Sequence, residues 1–157
     1  CILPHYIYSV ILCICLLFLC SLVYGQSIMV CINQQDGLQE KEQRVTIQFE
    51  DFLVESFFDK GFIITTYPIS VQEKDSVQNL LDECKFGSMD YLVYLTLTIN
   101  PLTERITSID WNCFSVMQEK KMNQSQFEVT HYEKNNEEKR LKVISETITK
   151  QIFEIIS

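Results

Sequence analysis

The chain has 157 residues, a formal net charge of −8 and a pI near 4.7, a length that fits one domain. An acidic surface repels phosphate backbones, and no Lys/Arg stripe interleaved with aromatics offsets that charge. Nucleic acid is therefore excluded as an expected partner, and so is anionic lipid bound through the domain surface.

The first 25 residues differ from the rest. Val10 to Tyr24 carries no charge, and Val10 to Cys20 is almost wholly apolar. The run ends at Val23-Tyr24-Gly25, with a small residue before a cut and Val two places earlier, the anatomy of a signal peptide cleaved after Gly25. The region ahead of it holds His5 but no Lys or Arg. Three alternatives stand beside cleavage. An uncleaved anchor needs roughly 20 apolar residues, and Ile7 to Val23 approaches that. A lipoprotein is suggested by Leu17-Phe18-Leu19-Cys20, with Leu three places before Cys, although Leu19 stands where a small residue is expected. A helix buried inside the domain would need a polar face that this segment lacks. Residues 1–25 are expected to be a signal peptide or membrane anchor, and residues 26–157 a single domain acting in the periplasm or cell envelope.

Ser27 to Asn33 is an apolar run that fits a buried first strand. Gln34 to Glu42 is polar and centred on Asp36-Gly37, a turn signal. Val45, Ile47 and Phe49 alternate as in a strand, yet Val45, Phe49, Phe52, Leu53 and Phe57 recur at helical spacing until Gly61. The longer pattern predicts a helix over 42–60. Phe62 to Ile69 reads as a strand with Pro68 at its end or edge. Asp75 then caps a short helix, with Gln78 at its third position and Val77, Leu80, Leu81 and Cys84 on the apolar face, closed by Gly87.

Asp90 to Ile99 is apolar on both faces, as expected for a strand inside a covered sheet. Asn100 to Glu104 turns the chain. Arg105 to Val116 places Ile109, Trp111 and Cys113 on one face and Asp110 and Asn112 on the other. A turn over 120–123 leads to a strand over 126–132, with Phe127 and Val129 pointing inward. Asn135 caps the last helix, with Glu138 three residues on and acidic residues in the first turn. Leu141, Ile144, Ile148, Ile152 and Ile155 form its stripe. The predicted order is β-α-β-α-β-β-β-α, an α/β (α+β) fold in which helices pack on a mixed sheet, parallel strands first and a meander at one edge.

Chemistry-bearing residues are sparse. His131 is the one histidine after residue 25 and has no metal-ligand spacing around it. Glu50-Asp51, Asp82-Glu83 and Glu137-Glu138 are sequence neighbours, about 100° apart on a helix, and read as solvated faces or helix-start charges. Cys31, Cys84 and Cys113 fall in apolar patterns and read as buried thiols. A Cys113–His131 pair on neighbouring strands is the one thiol–base arrangement to consider. Gly37, Gly61 and Gly87 stand singly, which disfavours a phosphate-cradling loop. No catalytic, cofactor-binding or metal-binding residue is expected, and no cofactor.

Candidate contact residues are of two kinds. Asn33 and Asp36 flank the loop after the first strand, where open α/β sheets place ligands; a plain connection is the competing reading. Tyr91, Tyr94 and Trp111 are aromatics of the kind that anchor interfaces, with core packing as the alternative for Trp111. The last three strands offer edges for pairing with another chain and carry few polar residues to guard them. Asn123-Gln124-Ser125 matches a glycosylation acceptor, relevant in a eukaryotic secretory host.

Gly61-Phe62-Ile63-Ile64 after an amphipathic helix, then a helix leading into Gly87-Ser88-Met89-Asp90-Tyr91-Leu92-Val93, resembles "Gly-Phe-x-Val … Gly-Ala-Asp-Tyr-Val-Val". That pattern belongs to bacterial envelope domains similar to the amino-terminal domain of TolB and the core of the curli-secretion lipoprotein. The chain departs from it at Asn33-Gln34, where Pro-Phe is usual, and at Met89, where Ala is frequent. The resemblance implies a periplasmic or membrane-associated accessory domain that contacts an envelope protein or cell-wall component. It supplies no catalytic residues, and neither a pore nor a propeller-linked role carries over. A small-ligand or lipid-binding domain is the second reading and requires a cavity beside Phe49, Phe52, Phe57 and Phe58. A hydrolase or thiol enzyme is the third, requiring polar groups that converge near Cys113, His131 or Asp36. The membrane enters only through the N-terminal segment, if retained or acylated.

Overall fold

The computed structural model describes residues 25–35, 43–71, 76–129 and 136–157. The signal or anchor segment apart from Gly25, the turn at Asp36-Gly37, the Asp75 cap, His131 and the Asn135 cap lie outside the described residues.

The strands are β1 (Ser27–Gln35), β2 (Ile63–Thr66), β3 (Ser70–Val71), β4 (Tyr91–Asn100), β5 (Arg105–Ser115) and β6 (Lys120–Glu128). The helices are α1 (Arg44–Asp59), α2 (Val77–Phe86) and α3 (Glu137–Ile156). The sheet runs β2-β1-β4-β5-β6, with β3 also on β1. Strands β2, β3 and β4 pair parallel to β1, and β4-β5-β6 is an antiparallel meander. The predicted α/β class, element sequence and mixed sheet are present.

One face of the sheet carries the larger core. Ile28, Val30 and Ile32 of β1, Val93, Leu95, Leu97 and Ile99 of β4, and Ile109, Trp111 and Cys113 of β5 meet Phe49, Leu53 and Phe57 of α1 and the Ile144, Ile148 and Ile152 stripe of α3. The other face carries a smaller core beneath α2, where Met29, Cys31, Leu92, Tyr94 and Phe114 meet Leu80, Leu81 and Cys84. Strand alternation thus feeds two apolar layers at once.

The helix chosen over a strand at 42–60 is α1. Its start lacks a side-chain cap from Gln43. Buried Gln34 of β1 substitutes: its Oε1 accepts from Gln43 N at 2.9 Å and from Thr46 Oγ1 at 2.6 Å. At the other end Gly61 adopts φ 86°, a left-handed conformation that glycine takes at little cost.

Several boundaries differ from expectation. The strand at 62–69 is two pieces. Val30 pairs with Thr66 and Asn33 with Ser70, so β2 and β3 contain one residue more than β1 over this interval. Pro68, which has no N–H to donate, lies within it. The α2 cap is Ser76, whose Oγ accepts from Asn79 N at 3.2 Å, so Gln78 does not occupy the third helical position. Asn136 caps α3 by accepting from Lys139 N. The last turn of the meander lies at 116–119, where Glu119 takes φ 48°, and residues 120–123 are already strand β6. Edge protection is therefore stronger than the sequence suggested: β6 is the outer strand and carries Lys120, Lys121, Asn123, Gln124 and Gln126, a polar, charged edge.

Candidate interaction surface

Helix α2 has 10 residues and covers only part of its sheet face. Beyond it the side chains on that face turn polar. Pairing aligns them in one row across five strands: Ser70 opposite Asn33, Asn33 opposite Thr96, Thr96 opposite Asp110, and Asp110 opposite Gln126. Flanking positions continue the band through Thr98, Ser108 and Glu128 on one side and Asn112 and Gln124 on the other.

Exposure increases from Asn33 towards β6. Asn33 is 1% exposed, Thr96 and Asp110 are half-buried, and Gln126 is open to solvent. The outer end forms a shallow depression of about 390 Å³ lined by Asp110, Trp111, Asn112, Gln124, Ser125 and Gln126. Asn33 Oδ1 makes no hydrogen bond among the described residues, an uncommon state for a buried amide oxygen. The band can offer amides, hydroxyls and a carboxylate to a polar surface.

Asn33 is a residue of β1 rather than of the following loop, because the strand continues to Gln35. Asp36 is outside the described residues. The two tyrosines and Trp111 do not form a joint surface. Trp111 is 1% exposed within the larger core and Tyr94 is 7% exposed in the smaller one. Tyr91 is partly buried against the larger core, and burial, then the charge of Asp90 and the Cys113 thiol, raises its phenol pKa. Trp111 is thus a packing residue, as its sharing of a face with Ile109 and Cys113 allowed.

Cys31, Cys84 and Cys113 are buried, and none is in a disulfide among the described residues. Burial raises the Cys113 pKa to about 12. Burial and then Glu83 raise that of Cys84 to about 11, and its Sγ lies 3.4 Å from Met29 Sδ. Neither provides the depressed-pKa thiolate that nucleophilic chemistry requires. Among the described residues, no group of three or more His, Cys, Asp or Glu side chains has metal-binding geometry. The space between α1 and the sheet, where a ligand cavity was considered, is filled by Phe49, Leu53 and Phe57, each 0% exposed.

A family model described as "Uncharacterised protein" matches residues 27–157. The chain belongs to that family. No curated protein matches it. Among solved structures, the chain is similar in fold to a single-substitution variant of the PelC dodecamer from Paraburkholderia phytofirmans, with a TM-score of 0.51, 6% identity, and coverage of 79% of this chain and 86% of that one. It is similar also to TolB from Acinetobacter baumannii, with a TM-score of 0.51, 9% identity and 85% of this chain covered. The match takes in 28% of the TolB chain. The resemblance to TolB seen in the sequence is therefore a likeness of fold.

The sequence pointed to aromatics and missed the polar band. A signal was present: Thr96 and Thr98, Asp110 and Asn112, and Gln124 and Gln126 each recur at a spacing of two, the mark of one strand face. Reading residues 120–123 as a turn concealed the last pair.

Proposed function

We propose that residues 26–157 form a non-enzymatic accessory domain that acts in the cell envelope and binds a protein partner across the open sheet face. The observation that carries this reading is the polar row from Asn33 to Gln126, which ends on an exposed edge strand. Such a row offers many weak polar contacts over an area, as an interface rim does, rather than convergent groups around one reacting atom. The apolar segment before Gly25 supports export, and the TolB-like fold is compatible with an envelope setting.

The test is capture of the full chain from the envelopes of its own host after chemical cross-linking. A discrete protein adduct supports the reading. Recovery of lipid alone, or of no adduct, contradicts it, and recovery of a cell-wall polymer would change the partner class.

A further inference from the structure

Strand β2 is the outer strand at the edge opposite β6. Ile63 N donates to Gln26 O and Tyr67 N to Val30 O, each at 2.9 Å, which fixes the residues whose backbone faces β1. Backbone direction alternates along a strand, so the N–H and C=O of Ile64 and Thr66 point away from the sheet. Among the described residues no strand pairs with that side. Its side chains do not guard it either. β2 reads Ile-Ile-Thr-Thr, β-branched and uncharged throughout, whereas β6 begins with two lysines. An unguarded edge of this kind is a template for a further strand. Pro68, which has no N–H, closes the edge at one end, so the edge seats a short segment.

Helix α1 runs beside this edge and leaves a groove. Next to Ile63 and Ile64 lies an apolar depression of about 500 Å³, walled on the helix side by Asp51, Val54, Glu55 and Phe58. One turn earlier in the helix, a second depression of about 290 Å³ lies between Ile47 and Glu50 and the segment from Thr66 to Ile69. Ile47, Val54 and Phe58 share one stripe of α1 by helical spacing. Ile47 is 41% exposed, Phe58 72% and Ile63 59%, so the groove keeps large apolar groups in water beside unpaired backbone. That combination marks a contact site.

The charge of the groove selects the occupant. Glu50, Asp51 and Glu55 line it, and no Lys or Arg does. The basic residues at the two ends of α1 are turned elsewhere. Arg44 lines a different depression with Glu137 and Glu138, and Lys60 Nζ lies 5.6 Å from the centre of the Phe153 ring. Two copies joined β2 to β2 about a twofold axis would set their carboxylates against each other. An anionic lipid surface is repelled in the same way. A segment bearing Lys or Arg is attracted.

We propose that the β2 edge and the groove beside α1 form a docking site for an extended, basic segment of another protein. The segment adds as a strand outside β2 and bonds to the backbone of Ile64 and Thr66, and every second side chain faces α1. Apolar residues at those positions fill the two depressions, and a Lys or Arg at the next such position reaches Asp51 or Glu55. The site lies at the sheet edge opposite β6 and does not rest on the reading of the open polar face.

The test pans a display library of random peptides against the full chain in detergent micelles and measures binding of the enriched peptides by fluorescence anisotropy. The proposal expects apolar residues at every second position and a net positive charge. N-methylation of the peptide amides that face β2 should weaken binding about tenfold by removing edge hydrogen bonds, and methylation of the alternate set should not. Glu55→Lys and Phe58→Ala should each weaken binding about threefold or more. Both side chains are exposed, so the fold is expected to persist. Glu146→Lys, an equal charge change on the exposed side of α3, should leave binding unchanged. Enrichment of neutral or acidic peptides, indifference to N-methylation, undiminished binding to Glu55→Lys, or no enrichment, with or without dimerisation of the chain, would overturn the proposal. Those outcomes leave the partner-binding reading, tested by cross-linking, unaffected.

Discussion

Gln34 Oε1 accepts a 2.6 Å hydrogen bond from Thr46 Oγ1 across the junction between β1 and α1. The same oxygen accepts from Gln43 N, so one buried amide replaces the missing helix cap and locks the helix to the sheet. Gln34→Leu should lower stability by about 1–3 kcal/mol, the cost of leaving buried donors without an acceptor. Thr46→Val should cost less, and the double variant should fall short of the sum. Urea denaturation of the four proteins checks this; strict additivity would contradict the shared-acceptor account.

Arg140 fastens the start of α3 to β5. It is 8% exposed, and it donates to Ile106 O at 2.7 Å and to Glu137 Oε1 at 2.6 Å. Glu137 also lies 3.5 Å from Arg105. Arg140→Ala should cost about 2–4 kcal/mol, because it removes buried charge-assisted hydrogen bonds and the packing of a buried side chain. Arg140→Lys should recover only part, since an ammonium cannot reproduce the planar fork. A thermal melt of both variants decides the order.

The fold was legible where one periodicity ran long enough. The Leu141, Ile144, Ile148 and Ile152 stripe and the two-faced apolar run of β4 needed no tertiary information. The strand at 62–69 was misread because its split depends on an offset against β1 between Thr66 and Ser70. The start of β6 was misread because Lys120 to Asn123 has turn-like composition, and its strand state comes from pairing with β5. The candidate surface was less legible, because a row from Asn33 to Gln126 is a property of cross-strand register. Only Asn33 in that row was anticipated.

The thiols give a pH prediction. Cys113 and Cys84 are raised by burial from 9.0 to about 12 and about 11. Above pH 9 the unfolded thiols lose protons that the folded chain retains, so the unfolded state gains stability. The burial-protected contribution is thus complete below pH 9 and is lost as pH rises towards the folded values. Both thiols should react with a disulfide reagent at pH 8 only after denaturation. Rapid labelling of Cys84 or Cys113 in the native chain, located by peptide mass spectrometry, would contradict the assigned burial.

Trp111 should behave as a packing residue. Trp111→Ala should cost about 3–5 kcal/mol through the cavity it leaves, and Trp111→Phe much less. Partner capture by the folded Phe variant should equal that of the parent. Lost capture at unchanged melting temperature would restore Trp111 as a contact residue.

The most direct measurement is a scan with a photo-crosslinking side chain in cells that export the full chain. Asp110, Asn112, Gln124 and Gln126 on the open face are compared with Lys150 and Glu154 on the exposed side of α3. The account predicts one protein adduct of constant mass from the sheet-face positions and none from the helix positions. Absence of adducts from the sheet face, or the same adduct from both sets, would contradict it.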